Sequence, residues 1–155
     1  MISKAGGIAL ILVSVGCGLG SFALFRGYQT VEEVIQSAER HVEREIVPAM
    51  RSWDPDRWER LWADGLRESL PDRKLMIRRF SDRLGPVQVL GKANYRAIRP
   101  APAGMGAKSV VELGYSPQFT NGAASLRLKL ARIEKQWKIA SITLGDPAST
   151  KSVSN

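Results

Sequence analysis

Cysteine and histidine are nearly absent from this sequence, which holds one of each, Cys17 and His41, in 155 residues. A single thiol cannot close an intramolecular disulfide, and one Cys with one His cannot furnish a tetrahedral zinc site. Glycine-rich phosphate loops, a dinucleotide-binding glycine pattern and a G-x-S-x-G elbow are all missing, which removes the motif-defined nucleotide and hydrolase classes. Acidic residues are absent from the first 31 positions, and all fifteen follow Val31. Glu, Asp and His are too sparse in the C-terminal half to suggest a metal centre, and no cofactor is expected.

What the N-terminus does have is apolar. Ala5 to Phe25 carries no charge and is closed by Lys4 and Arg26. Its 21 residues make a helix of about 31 Å, against a bilayer hydrocarbon core of about 30 Å. This predicts a single-pass transmembrane anchor with its flank over residues 1–29. A secretory signal has a shorter apolar core, about 7–15 residues, and a small-x-small cleavage site. Gly18-Leu19-Gly20 offers such a site, so cleavage stays an alternative, although the apolar run continues to Phe25. Lipidation of Cys17 is a third fate, poorly matched because Ser14 stands where a lipoprotein signal usually has Leu. Ser14 and Gly18, and Gly16 and Gly20, are small-x-x-x-small pairs that let helices approach closely in lipid. These four residues are the helix-packing candidates, through which the chain would also form a homo-oligomer.

The positive N-terminal tail favours retention in the cytoplasm, and Glu32 and Glu33 follow the far end of the stretch. The expected location is therefore a bacterial inner membrane with the soluble part in the periplasm. Net charge over the whole chain is +8, and the 21 cations and 15 acids beyond Arg26 leave +6 on that part. Such a surface attracts anionic partners.

Thr30-Val31-Glu32-Glu33 reads as a capping box. Val31, Val34, Ile35, Ala38, Val42 and Ile46 then keep helical spacing, and the helix is expected to end near Pro48 to Met50. Asp54-Pro55 reads as an N-cap and first-turn proline opening a second helix with Trp58, Leu61, Trp62 and Leu66 on one face. Trp53, just before that cap, is placed to staple onto Trp58 or a neighbour. A third helix carries Leu75, Ile77, Phe80 and Leu84 and stops at Gly85-Pro86. Its polar side presents Arg73, Lys74, Arg78, Arg79 and Arg83, a basic face for anionic lipid or protein.

Beyond Pro86 the pattern becomes that of strands. Val87 to Ile98 reads as one extended run, Lys108 to Ser116 as a second, Ala124 to Ile133 as a third and Gln136 to Leu144 as a fourth. Leu126, Leu128 and Leu130 alternate with Arg127 and Lys129, as in a sheet with one wet face. Helices followed by four strands predict an α+β domain over 30–144, the helices packed on a curved four-stranded antiparallel sheet. Residues 145–155 are expected to be a disordered tail.

The segment from Trp58 through Leu84-Gly85-Pro86-Val87 to Gln136-Trp137-Lys138-Ile139 resembles the cystatin-like, or ketosteroid-isomerase-like, roll of small bacterial envelope proteins. The resemblance covers roughly residues 30–144. It implies one of two roles: an enzyme with an acid or base inside the cone of the roll, or a membrane-tethered scaffold. The inner-membrane cystatin-like component of type IV secretion systems exemplifies the second, and one span followed by a roll is similar to it.

For the enzyme alternative, an isomerase or hydrolase with a small apolar pocket, the pocket candidates are Tyr95, Glu112 and Tyr115. Alternation puts Glu112 on the face opposite Val111, Leu113 and Tyr115, and so in water if those three are core. His41, in a charged helical stretch with no nucleophile beside it, reads as a surface residue. Trp53, Trp58 and Trp62 lie near arginines, but their alignment with Leu61 favours core packing over base stacking, and nucleic acid is not an expected partner. The expected role is that of a non-catalytic, membrane-anchored binding or assembly module that acts through a protein partner in the membrane or envelope.

Overall fold

Apolar residues three and four apart draw the first helical stretch onto the core: Ile35, Ala38, Val42 and Ile46 are all buried. The computed structural model describes residues 30–64 and 70–147. The N-terminal stretch holding Ser14, Gly16, Cys17, Gly18 and Gly20, and the tail from residue 148, lie outside the described residues. Among the described residues no helix is long and apolar enough to cross a membrane.

Helix α1 spans residues 30–41 and runs into a π-helical turn, Val42–Ile46, and then α2, Val47–Ser52. The turn has a local reason. Pro48 has no N–H, and its ring would press on the carbonyl four residues back, so the ladder widens and the Val47 N–H donates to the carbonyl of Val42. The proline widens the helix instead of ending it.

Helix α2 closes on Trp53 in the left-handed conformation, φ 50°. Asp54 then caps α3, Pro55–Leu61, its Oδ1 accepting from the Asp56 N–H at 3.1 Å. The second helix is shorter than its apolar pattern implies, because Trp62 is already extended. There the chain bridges to the sheet, with the Ala63 N–H donating to the carbonyl of Ile139 at 3.0 Å. Helix α4, Leu70–Leu84, stops at Gly85, φ 68°.

Seven strands follow: β1 Val87–Val89, β2 Tyr95–Pro100, β3 Ser109–Tyr115, β4 Gln118–Phe119, β5 Gly122–Ala123, β6 Ser125–Ile133 and β7 Gln136–Gly145. They form two antiparallel sheets, a four-stranded one in the order β2-β3-β6-β7 and a small one in the order β1-β4-β5. The single extended run expected over Val87 to Ile98 is thus two strands in different sheets. Gly91, at φ 77°, lies in the break between them. The architecture is α+β.

Strands β6 and β7 form a hairpin through Glu134 and Lys135, both at positive φ, the twist that suits a two-residue turn. Register shifts between Lys129, opposite Ser141, and Leu130, opposite Ile139, so Ala140 is an extra residue in β7. A bulge there bends the strand beside the Trp62–Ile139 bridge.

The inner face of the large sheet carries Val111, Leu113, Leu128, Leu130, Ile139 and Ile142, all buried. Trp58, Ile46 and Met50 from the helices are each under 2% exposed. Large side chains from both layers therefore fill the space where helices and sheet meet, each contributing about 1.5–3 kcal/mol by its burial.

Candidate functional site

Directly paired residues on neighbouring strands project to the same face. On the side of the large sheet away from Leu113 and Leu128, one row reads Tyr95, Gly114, Arg127, Thr143 and the next Ala97, Glu112, Lys129, Ser141. Gly114 is small for a reason: a Cβ there would lie 2.8 Å from Asn94 Oδ1 and 2.9 Å from Tyr95 Cβ. Its missing side chain lets Tyr95 settle against the sheet. The Arg127 guanidinium lies over the tyrosine ring, 4.3 Å from its centroid.

Arg99 ties this pair to the next row. Its Nη2 donates to Tyr95 Oη at 3.1 Å and its Nε to Glu112 Oε2 at 3.1 Å. Lys129 Nζ sits 3.0 Å from the other carboxylate oxygen. Glu112 does lie on the face opposite Val111, Leu113 and Tyr115, but it is not in open water, being only 9% exposed. Long side chains from both neighbouring strands close over it. The hydrogen bond from Lys129, then that from Arg99, hold its carboxyl below the ordinary carboxylate value despite the opposing effect of burial. An ionised carboxylate held by two cations has no proton to give and little basicity, so it acts as a positioning anchor for Arg99 and Lys129. Arg99, Arg127 and Lys129 are exposed, and among the described residues no carboxylate pairs with Arg127.

Tyr115 is elsewhere. It lies on the helix-facing side, 4% exposed, in a cleft of about 330 Å³ that it shares with Glu39, Glu43, Arg96 and Lys92. Arg96 Nε is 2.9 Å from Glu39 Oε1. Burial first, then Glu39 and Glu43, push the Tyr115 phenol well above its ordinary value, with Arg96 opposing. The phenol stays protonated at neutral pH. The three pocket candidates are therefore split, with Tyr95 and Glu112 on one side of the sheet and Tyr115 on the other.

The five basic residues of α4 do not present one free surface. Arg73 is half-buried, its guanidinium 5.1 Å from the Trp62 ring centroid. Lys74 lies 3.7 Å from Glu59 and 3.9 Å from Asp56, and Arg83 pairs with Asp146. Arg78 and Arg79 are exposed. Trp53, Trp58 and Trp62 are core, at 6%, 1% and 4% exposed.

The sequence pattern points to Tyr95 and Glu112 but not to their companions Arg99, Gly114 and Arg127. Only strand register puts Gly114 beneath Tyr95, and nothing in the local pattern of Glu112-Leu113-Gly114-Tyr115 reveals it. Compared with known proteins, the chain matches no family model and no curated relative.

Proposed function

We propose that this chain is a non-catalytic binding or assembly module, held in a bacterial inner membrane by residues 5–25 with its α+β body in the periplasm. A protein partner docks on the outer face of the four-stranded sheet. The observation that carries this reading is the Tyr95–Arg127 pair seated on Gly114. Tyrosine and arginine dominate the energetics of protein interfaces. Here the guanidinium and the Arg99 hydrogen bond already restrain the ring, which lowers the ordering cost of docking.

Charge gives the partner's character. Three exposed cations, Arg99, Arg127 and Lys129, surround one carboxylate, Glu112. The complementary surface is therefore acidic, and its approach is steered by that excess. Further support comes from the packed meeting of helices and sheet and from the separation of Tyr115 from Tyr95 and Glu112, which puts the three residues of the enzyme alternative on two sides of the sheet. The cystatin-like identity and the likeness to tethered scaffolds belong to this proposal, and the α+β architecture is compatible with both.

Affinity purification of the full chain from detergent-solubilised native membranes tests the reading. Arg127→Glu reverses the charge at the centre of the face and is expected to abolish co-purification of the partner. Retention of the same partner by that variant would contradict it.

A further inference from the structure

Where α1, α3 and the start of β7 meet, a groove of about 600 Å³ is lined by Arg57, Arg60, Lys138, Glu45, His41 and Trp137. Arg57 and Arg60 are three apart on α3, and so neighbours on its surface. Among the described residues no carboxylate pairs with either. Lys138 Nζ donates to the carbonyl of Arg60 at 2.8 Å, which fixes the ammonium at the end of α3. Trp137 supplies a flat apolar wall, its ring held by the Nε1 hydrogen bond to Ser37 Oγ at 3.1 Å.

The charges in the groove do not balance. Three cations (Arg57, Arg60, Lys138) against one carboxylate (Glu45) leave two positive charges in excess. His41 does not add a third at neutral pH. It is half-buried, unlike the surface residue its sequence context implies, and its Nε2 is buried without a hydrogen-bond partner among the described residues. Burial, and then Lys138, lower its pKa from the ordinary 6.5, with Glu45 opposing. A phosphate monoester carries about −1.5 to −2 at pH 7, which matches that excess, and guanidinium forks suit its oxygens.

We propose that this groove binds a phosphate-bearing ligand, its phosphate held by Arg57 and Arg60 with Lys138 adding charge, and its apolar body laid against Trp137. The site is distinct from the sheet face and does not depend on it. The phosphomonoester can belong to a soluble molecule or to a lipid headgroup, and the experiment separates the two.

His41 is the chain's only histidine, so its imidazole signals report on the groove without ambiguity. The full chain in phosphatidylcholine nanodiscs is titrated with phenyl phosphate while NMR follows the His41 pKa. A bound anion offsets Lys138, so the expected result is a saturable rise in that pKa, with a dissociation constant of about 1 mM or tighter. In a second arm, phosphatidic acid, a lipid phosphomonoester, replaces phosphatidylcholine and phenyl phosphate is omitted. A rise there that Arg57→Gln with Arg60→Gln removes assigns the phosphate to lipid, and a rise only in the first arm assigns it to a soluble ester. Arg57→Gln with Arg60→Gln is expected to weaken binding at least about tenfold, whereas Arg78→Gln with Arg79→Gln on α4 leaves it unchanged. Lys138→Gln keeps both guanidinia, and its smaller loss serves if the double variant fails to fold. No rise in either arm, or an equal loss from the α4 pair, would overturn the proposal.

Discussion

The indole N–H of Trp53 donates to the carbonyl of Gly85 at 2.8 Å, joining two helix C-termini that both turn in the left-handed region. Trp53 closes α2 and Gly85 closes α4, so one hydrogen bond fixes how two helices end against each other. The ring also stacks on Trp58 at 5.6 Å and on Phe119 of the small sheet at 6.1 Å between centroids.

Removing the indole donor strands the Gly85 carbonyl. Trp53→Phe is expected to lower stability by about 1–3 kcal/mol, read by urea denaturation. Gly85→Ala should cost a comparable amount, because it strains a residue at φ 68° and sets a Cβ 3.2 Å from Thr120 Cβ. If neither variant shifts the midpoint, this junction does not hold the helices.

Much of this core was legible in the sequence. Asp54-Pro55, Gly85-Pro86 and the Leu126-Leu128-Leu130 alternation each obey a local rule, and each element they mark is present. The staple between Trp53 and Trp58 follows from the same cap geometry. The small sheet was not legible, because β1, β4 and β5 are two or three residues long and gain their identity only by pairing Val87 with Phe119 and Gln118 with Ala123. The outer face was half legible for a related reason. Alternation put Glu112 and Arg127 on the wet side, but the stacking of Arg127 on Tyr95 depends on register across three strands.

A methyl group at Gly114 has nowhere to go. Gly114→Ala is expected to displace Tyr95 and to destabilise the fold by about 1–3 kcal/mol. Gly114→Ala combined with Tyr95→Gly should cost less than the two changes summed, because Tyr95→Gly removes the Cβ that the new methyl would meet. Thermal melts of the three variants measure the coupling, and simple additivity would show that the two residues do not share the space.

Glu112 makes a pH-dependent contribution whose sign is fixed. Its carboxyl is held below the ordinary 4.5, so the folded state favours the ionised form. The stabilisation is complete above that ordinary value, declines as pH falls through the lower folded value, and is lost beneath it. Glu112→Gln should therefore cost about 1 kcal/mol at pH 7 and nothing at acid pH. A constant difference between wild type and variant across that window would show that Lys129 and Arg99 do not hold the charge.

The anchor is tested by extraction. The full chain is expected to stay in the membrane pellet through alkaline carbonate treatment. Gly16→Leu with Gly20→Leu should leave that retention intact while reducing any membrane partner that co-purifies through the helix. Recovery of a soluble protein lacking its first twenty or so residues would instead show cleavage.

The most direct test places a photo-crosslinking amino acid at Thr143, which is exposed in the same row as Tyr95, Gly114 and Arg127. In native membranes this position should yield one discrete protein adduct. Tyr95→Ala with Arg127→Ala should reduce that adduct at least about tenfold, as for the loss of an interface hot spot, while leaving the thermal melt nearly unchanged. No adduct at Thr143, or one that survives the double substitution undiminished, would contradict a partner docked on this face.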